Sequence, residues 1–139
     1  MISGGIFPDA GDIEIAGQRL KRGETPEQMC YVRENKAFLK GASVMEILDM
    51  ASAFHPYWDW DFAKELIKTF RLDGDKKIRQ LSRGMESIVG NIVGMASRAP
   101  FTVYDEPVLG LDVLMRERFY RVMMEDYVDH PRTILLSTH

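Results

Sequence analysis

The sequence predicts an α/β fold: a mostly parallel sheet flanked by helices, with a separate helical lobe. Three observations carry this. Short apolar runs of strand length alternate with segments of helical period. Two helical patterns follow one another over residues 43–71 with no strand between them, so they form a lobe of their own. The apolar run Phe101-Thr102-Val103-Tyr104 ends in Asp105-Glu106-Pro107, two adjacent carboxylates at the end of a strand where open α/β sheets bind ligands.

Each element has a local reason. Pro8–Asp12 is a turn cluster, and Asp12–Gly17 alternates polar and apolar residues, which predicts a short half-exposed strand ending at Gly17. Met29-Cys30-Tyr31-Val32 predicts a buried strand, left by the charged loop Arg33-Glu34-Asn35-Lys36. Ser43 and Glu46 match a capping box, and Val44, Ile47, Leu48 and Ala51 follow at helical spacing. After the aromatic loop His55–Trp60, Asp61 is the expected cap of a second helix with Phe62, Leu66, Ile67 and Phe70 on one face, ended by Asp73-Gly74-Asp75. A third helix follows Gln80–Gly84, with Met85, Ile88, Val89, Ile92, Val93 and Ala96 as its apolar stripe. Phe101–Tyr104 is a buried strand. A helix over about 114–126 and the turn Asp129–Arg132 lead to a last buried strand, Thr133–Leu136.

Composition bounds the function. The 139 residues are 45% hydrophobic and 28% charged, which fits one globular domain and excludes disorder throughout. Lys plus Arg total 18 against 21 Asp plus Glu, so the charge of −3 argues against a general nucleic-acid binder. Cys30 is the lone cysteine and no intrachain disulfide can form. No apolar run approaches the roughly 20 residues of a membrane span, and Met1–Asp9 lacks the basic region of a signal peptide. A cytoplasmic protein that meets a membrane only through a partner is expected. The apolar Met1–Phe7 and the halt at His139 directly after an apolar strand predict a piece of a larger unit.

Three features carry chemistry. Asp105-Glu106 suits a phosphoryl-transfer site, where one carboxylate holds Mg²⁺ and the second polarises an attacking water; a solvated turn before Pro107 is the alternative. Leu81-Ser82-Arg83-Gly84-Met85 opens a helix whose free N–H groups, with the Ser82 hydroxyl, suit an anion; a plain N-cap, with Glu86 near capping-box spacing, is the alternative. His139 follows a strand end and can face the same site, or serve structure alone. His55 and His130 each precede a proline and read as surface residues, while Trp58 and Trp60 read as lobe packing.

Taken in order, these pieces resemble the ATP-binding domain of ABC transporters. Leu81–Met85 is similar to the signature motif Leu-Ser-Gly-Gly-Gln, Phe101–Glu106 to the Walker B strand with its catalytic glutamate, Leu109–Asp112 to the D-loop and His139 to the switch histidine. Tyr31–Glu34 stands where the Q-loop falls, with Glu34 in place of glutamine, and Gly11–Gly17 is similar to the strand segment after the family's first helix. The Leu-Ser-Arg-Gly-Met form is similar to that of bacterial export ATPases of the YtrB-like group. The chain also departs from the pattern. It contains no G-x-x-x-x-G-K-[ST], Arg83 replaces a glycine, and Met85 replaces a glutamine.

The resemblance implies a P-loop NTPase-like core, truncated at both ends. The helical subdomain would cover about 43–84, and the Walker B, D-loop and H-loop core 99–139. It implies ATP and Mg²⁺ as ligands, with Asp105 on Mg²⁺, Glu34 reaching Mg²⁺ through water, Glu106 activating the water and His139 near the γ-phosphate. Ser82, Gly84 and Asp112 would face nucleotide, Ser82 and Gly84 across a dimer of identical or different ATPase subunits. A transmembrane permease would dock near Glu34–Ala42 and Tyr57–Trp60, and nucleic acid is not an expected partner. The function implied is the ATP-hydrolysing subunit of a membrane exporter, with this chain inactive alone for want of the P-loop. A soluble ABC-type ATPase and a non-catalytic regulatory module are the other readings.

Overall fold

The computed structural model describes residues 13–15, 18–20, 29–34 and 38–138. Strand β1 (Ile13–Ile15) pairs antiparallel with β2 (Gln18–Leu20), Ile13 opposite Leu20. The described part of the expected strand is thus paired with a second one; Asp12, Ala16 and Gly17 lie outside the described residues. That second strand, Gln-Arg-Leu, is too short and polar to show an alternating pattern.

Three strands form the parallel sheet, in the order β3 (Met29–Val32), β4 (Phe101–Asp105) and β5 (Thr133–Ser137). Val32 lies opposite Tyr104, and Tyr104 opposite Leu136. Central β4 buries Thr102, Val103 and Tyr104, as parallel strands covered on both faces do. Strand β5 corrects the expectation of burial: Leu135 and Leu136 are 44% and 36% exposed. Among the described residues β5 has a neighbour on one side only, so its side chains lack cover.

Helix α1 (Val44–Ser52) starts at the predicted capping box: the Glu46 amide donates to Ser43 Oγ at 3.1 Å and the Ser43 amide to the Glu46 carboxylate at 2.6 Å. Helix α2 (Trp60–Thr69) is capped by Asp59, not Asp61; Asp59 Oδ1 accepts from the Phe62 amide at 2.9 Å. The choice is tertiary. The Asp59 amide donates to the Ala96 carbonyl at 2.8 Å, which fixes the residue in an extended conformation, and Asp61 falls in the first turn, where its charge suits the helix dipole. A 3₁₀ turn at Ile78–Gln80, too short to show a period, precedes α3 (Arg83–Ala96). Helix α4 (Val113–Asp129) runs longer at both ends than its apolar spacing suggests.

The core lies between α3 and the sheet. Ile88, Val89, Ile92 and Met95 are buried there, and Tyr104 meets Phe119 of α4 edge-to-face at 6.0 Å. Trp58 and Trp60 pack edge-to-face at 5.6 Å against this core, the packing role expected of them. His55 corrects its surface assignment. It is half-buried, stacks on Trp58 at 6.3 Å and brings Nε2 to 3.9 Å from Cys30 Sγ. Burial lowers its readiness to protonate and pushes the Cys30 thiol up to about 11, so Cys30 is an inert packing group.

A buried charge node ties the lobe to the sheet. Arg98, just past α3, donates from Nε and NH2 to Asp59 Oδ2 at 3.1 and 3.0 Å and from NH1 to Asp126 Oδ1 at 2.5 Å. Arg132 sits 2.9 Å from the other oxygen, Asp126 Oδ2, and Nδ1 of the exposed His130 lies 3.5 Å from Asp126 Oδ1. The Arg98 guanidinium also stacks on the Phe62 ring at 4.3 Å. Burial works to raise the Asp59 carboxyl, but the Phe62 amide, Arg98 and His130 outweigh it and hold it below its ordinary range.

Candidate functional site

The site grows from the carboxyl end of β4. Asp105 is the last residue of the strand, opposite Ser137, and its Oδ2 accepts from the Tyr31 hydroxyl of β3 at 3.5 Å. Burial, and then the Asp105 charge, raise the Tyr31 phenol, so it stays protonated and can donate. Glu106 leaves the strand with φ of 50°, in the left-handed region that residues with a Cβ avoid. Its amide donates to the Ser137 carbonyl at 2.9 Å and its own carbonyl accepts from the Leu109 amide at 3.3 Å. The turn is therefore fixed at both ends, and Glu106 is buried.

Helix α3 packs against this turn. Ser82 is its N-cap, with Oγ accepting from the Met85 amide at 3.1 Å; Glu86 takes no part in the cap and instead accepts from Lys40 Nζ at 2.8 Å. Ser82 is exposed, and capping uses its oxygen as an acceptor, which leaves its O–H to donate elsewhere. The cap and the anion-facing hydroxyl are compatible. Gly84 lies so close to Gly110 that a Cβ there would stand 2.6 Å from the Gly110 carbonyl oxygen. Gly110 itself has φ of 82°.

Two residues of this site escape the sequence reading. Ser87 Oγ donates to the Leu109 carbonyl at 3.2 Å, and the fully buried Asn91 donates from Nδ2 to the Pro107 carbonyl at 2.8 Å. The usable signal is a pair of polar residues at i and i+4 within a helix whose other buried positions are apolar or glycine. They satisfy the carbonyls of a turn that would otherwise be buried without partners.

Of the remaining expected residues, Glu34 follows β3 at the same end of the sheet and pairs with Arg83 NH2 at 3.7 Å. Asp112 is the N-cap of α4, its Oδ1 accepting from the Met115 amide at 2.8 Å. His139 lies outside the described residues. Among those described, no three His, Cys, Asp or Glu side chains gather to cage a metal, and no helix is long and apolar enough to cross a membrane. One or two carboxylates at a nucleotide site suit Mg²⁺, which is completed there by phosphate and water oxygens.

A parallel α/β sheet with paired carboxylates at its carboxyl end, beside the start of a helix, is an arrangement that suits a phosphate-bearing ligand. The chain belongs to the ABC transporter family, whose profile matches residues 1–109, and its fold is that of the family's ATP-binding domain. It is 25% identical over 135 residues to the ABC transporter ATP-binding protein YtrB of Bacillus subtilis, covering 96% of this chain and 46% of YtrB. It is 26% identical over 146 residues to the bicarbonate transport ATP-binding protein CmpD of Synechococcus elongatus, covering 100% of this chain and 52% of CmpD. A solved ATP-binding subunit of an ABC transporter superposes with a TM-score of 0.81 at 27% identity, covering 99% of this chain and 60% of that one. The chain spans about half the length of the curated relatives it matches.

Proposed function

We propose that the complete protein is the ATP-binding and ATP-hydrolysing subunit of a membrane ABC transporter. One observation carries the reading: two carboxylates leave β4 on a turn held in a left-handed conformation, with Glu106 buried and the start of α3 packed on the same turn. In this reading Asp105, with Glu34 through water, holds Mg²⁺, which neutralises phosphate charge when bound. Glu106 orients the attacking water and takes its proton. Ser82 and the N–H groups beside Gly84 offer donors to the γ-phosphate of a nucleotide held by a second ATPase subunit, identical or different. His139 contributes a further donor near that phosphate. Asp112 keeps one carboxylate oxygen for the nucleotide side while the other caps α4.

The lobe at 43–84 and the core at 99–139 act as the two moving parts. A groove of about 870 Å³ lined by Leu39, Ala42, Met45, Met50 and Trp60 opens on the lobe beside the segment that follows Glu34. Leu39 and Met50 in that lining are exposed large apolar side chains, as are Phe54 and Tyr57 of the same lobe, which supports docking of a permease at the cytoplasmic side of a membrane. Export is the direction we propose, on the resemblance of Leu81–Met85 to the YtrB-like group. With no phosphate-binding Gly-rich lysine motif in its 139 residues, the chain by itself does not turn over ATP.

The test is Glu106→Gln in the complete protein. The substitution keeps shape and removes the base, so hydrolysis falls on the order of 100-fold or more while ATP binding persists. Normal turnover in the mutant refutes the role of Glu106 and, with it, this reading of the site.

A further inference from the structure

The first turns of α3 are held from two sides. The loop after β4 accepts from Ser87 and Asn91 and presses its Gly110 carbonyl against Gly84. On the other side stands the segment after β3. There Lys40 Nζ donates to Glu86 at 2.8 Å, and Glu34 Oε1 lies 3.7 Å from Arg83 NH2. The Arg83 side chain runs past Gly110, its Cγ 3.4 Å from where a Gly110 Cβ would stand, and ends at Glu34. Arg83 and Glu34 are both departures from the signature and Q-loop forms that the sequence resembles. They carry opposite charges, and they meet.

We propose that Arg83 is a positioning residue: through its charge pair with Glu34 it sets where the helix start bearing Ser82 and Gly84 stands relative to the loop leaving β3. Its guanidinium is directed toward Glu34 of its own chain. Arginine suits the task because it stays charged under all ordinary conditions. At 71% exposure for Arg83 and 34% for Glu34, the pair is partly screened, so its influence weakens with salt. The functional consequence rests on the ATPase reading above; the charge pairing does not.

The experiment uses the complete protein without nucleotide and follows amide hydrogen exchange over residues 82–87. Glu34→Gln and Arg83→Gln should each speed exchange about two- to fivefold, the range open to an exposed ion pair. Arg83→Lys and the reversed pair Glu34→Arg with Arg83→Glu should keep wild-type rates at low salt, and high salt should bring wild type to the rate of the single variants. In ATP turnover, Arg83→Gln should lower kcat with KM for ATP unchanged, and Arg83→Lys should restore it. Single variants that exchange like wild type, or a reversed pair no better protected than they are, overturn the proposal. Because exchange is read without nucleotide, that outcome is distinct from failure of the ATPase reading, which shows as unchanged turnover in Glu106→Gln.

Discussion

Gly94→Ala tests the packing that positions the site. Gly94 lies in α3 directly over the sheet, where a Cβ would stand 2.6 Å from Tyr104 Cε1, 2.9 Å from Tyr104 Cζ and 2.8 Å from Val32 Cγ2. Neither neighbour can yield easily. Tyr104 is fully buried and braced edge-on by Phe119, and Val32 is buried in β3. Alanine gains about 1 kcal/mol over glycine in a helix interior. Forcing an extra methyl into a filled core costs about 1–3 kcal/mol, and contacts this short against two rigid partners place the cost at the upper end. The expected result is a net loss of about 1–2 kcal/mol, read as a lower urea midpoint at unchanged m-value. Gly41→Ala is the control, since nothing lies within 4 Å of its added Cβ; it should leave stability unchanged or raise it by less than about 1 kcal/mol. Gly94→Ala as stable as wild type would refute the account of α3 seated on Tyr104. Because Tyr104 immediately precedes Asp105, the same variant should also slow ATP turnover.

Gly84→Ala should act on both site and stability: its Cβ meets the Gly110 backbone at 2.6 Å, so the turn after Glu106 must shift, turnover should fall about 10-fold or more and the urea midpoint should fall with it. Asp126→Ala should cost about 3–5 kcal/mol in chemical denaturation, because it strands buried Arg98 and Arg132, while Asp59→Ala should cost less, its side chain being 32% exposed. Burial lowers the folded-state affinity of His55 for a proton, so below about 6.5 the unfolded chain takes up a proton that the native chain refuses, and stability declines as pH falls toward the folded value. His55→Gln should flatten the plot of stability against pH in that window; an unchanged slope would show that His55 does not report burial.

What could be read from the sequence depended on whether its cause is local. Strand β4 and its carboxylates were legible because an apolar run ending in Asp-Glu-Pro is a pattern within seven residues. The Ser43–Glu46 box was legible for the same reason. The cap of α2 was not, since Asp59 and Asp61 are equivalent by local rules and the choice is made by the Ala96 carbonyl and Arg98, remote in sequence. The exposure of β5 was hidden because Ile-Leu-Leu reads as buried whether or not a neighbouring strand covers it. At the site, sequence order placed Glu34, Ser82, Gly84, Asp105 and Glu106 in one family pattern, but the direction of Arg83 and the contact of Gly84 with Gly110 belong to tertiary structure.

The backbone sets Glu106 apart from two helix terminations. Among the described residues, Arg71, Arg98 and Glu106 are the non-glycine positions with positive φ. Arg71 and Arg98 each follow a helix C-cap, Phe70 and Ser97, where chains commonly turn left-handed to satisfy the last carbonyls. At Arg71 the Leu72 amide reaches back to the Ile67 carbonyl and the Arg71 amide to that of Lys68, the full hydrogen-bond pattern of such an ending. Glu106 has no helix behind it. It follows a strand, and its conformation costs about 1–2 kcal/mol that glycine would not incur. Bonds to the Ser137 carbonyl and from the Leu109 amide hold it there. A carboxylate held at such a strained position, where glycine would fit without strain, supports the role proposed for the Glu106 side chain.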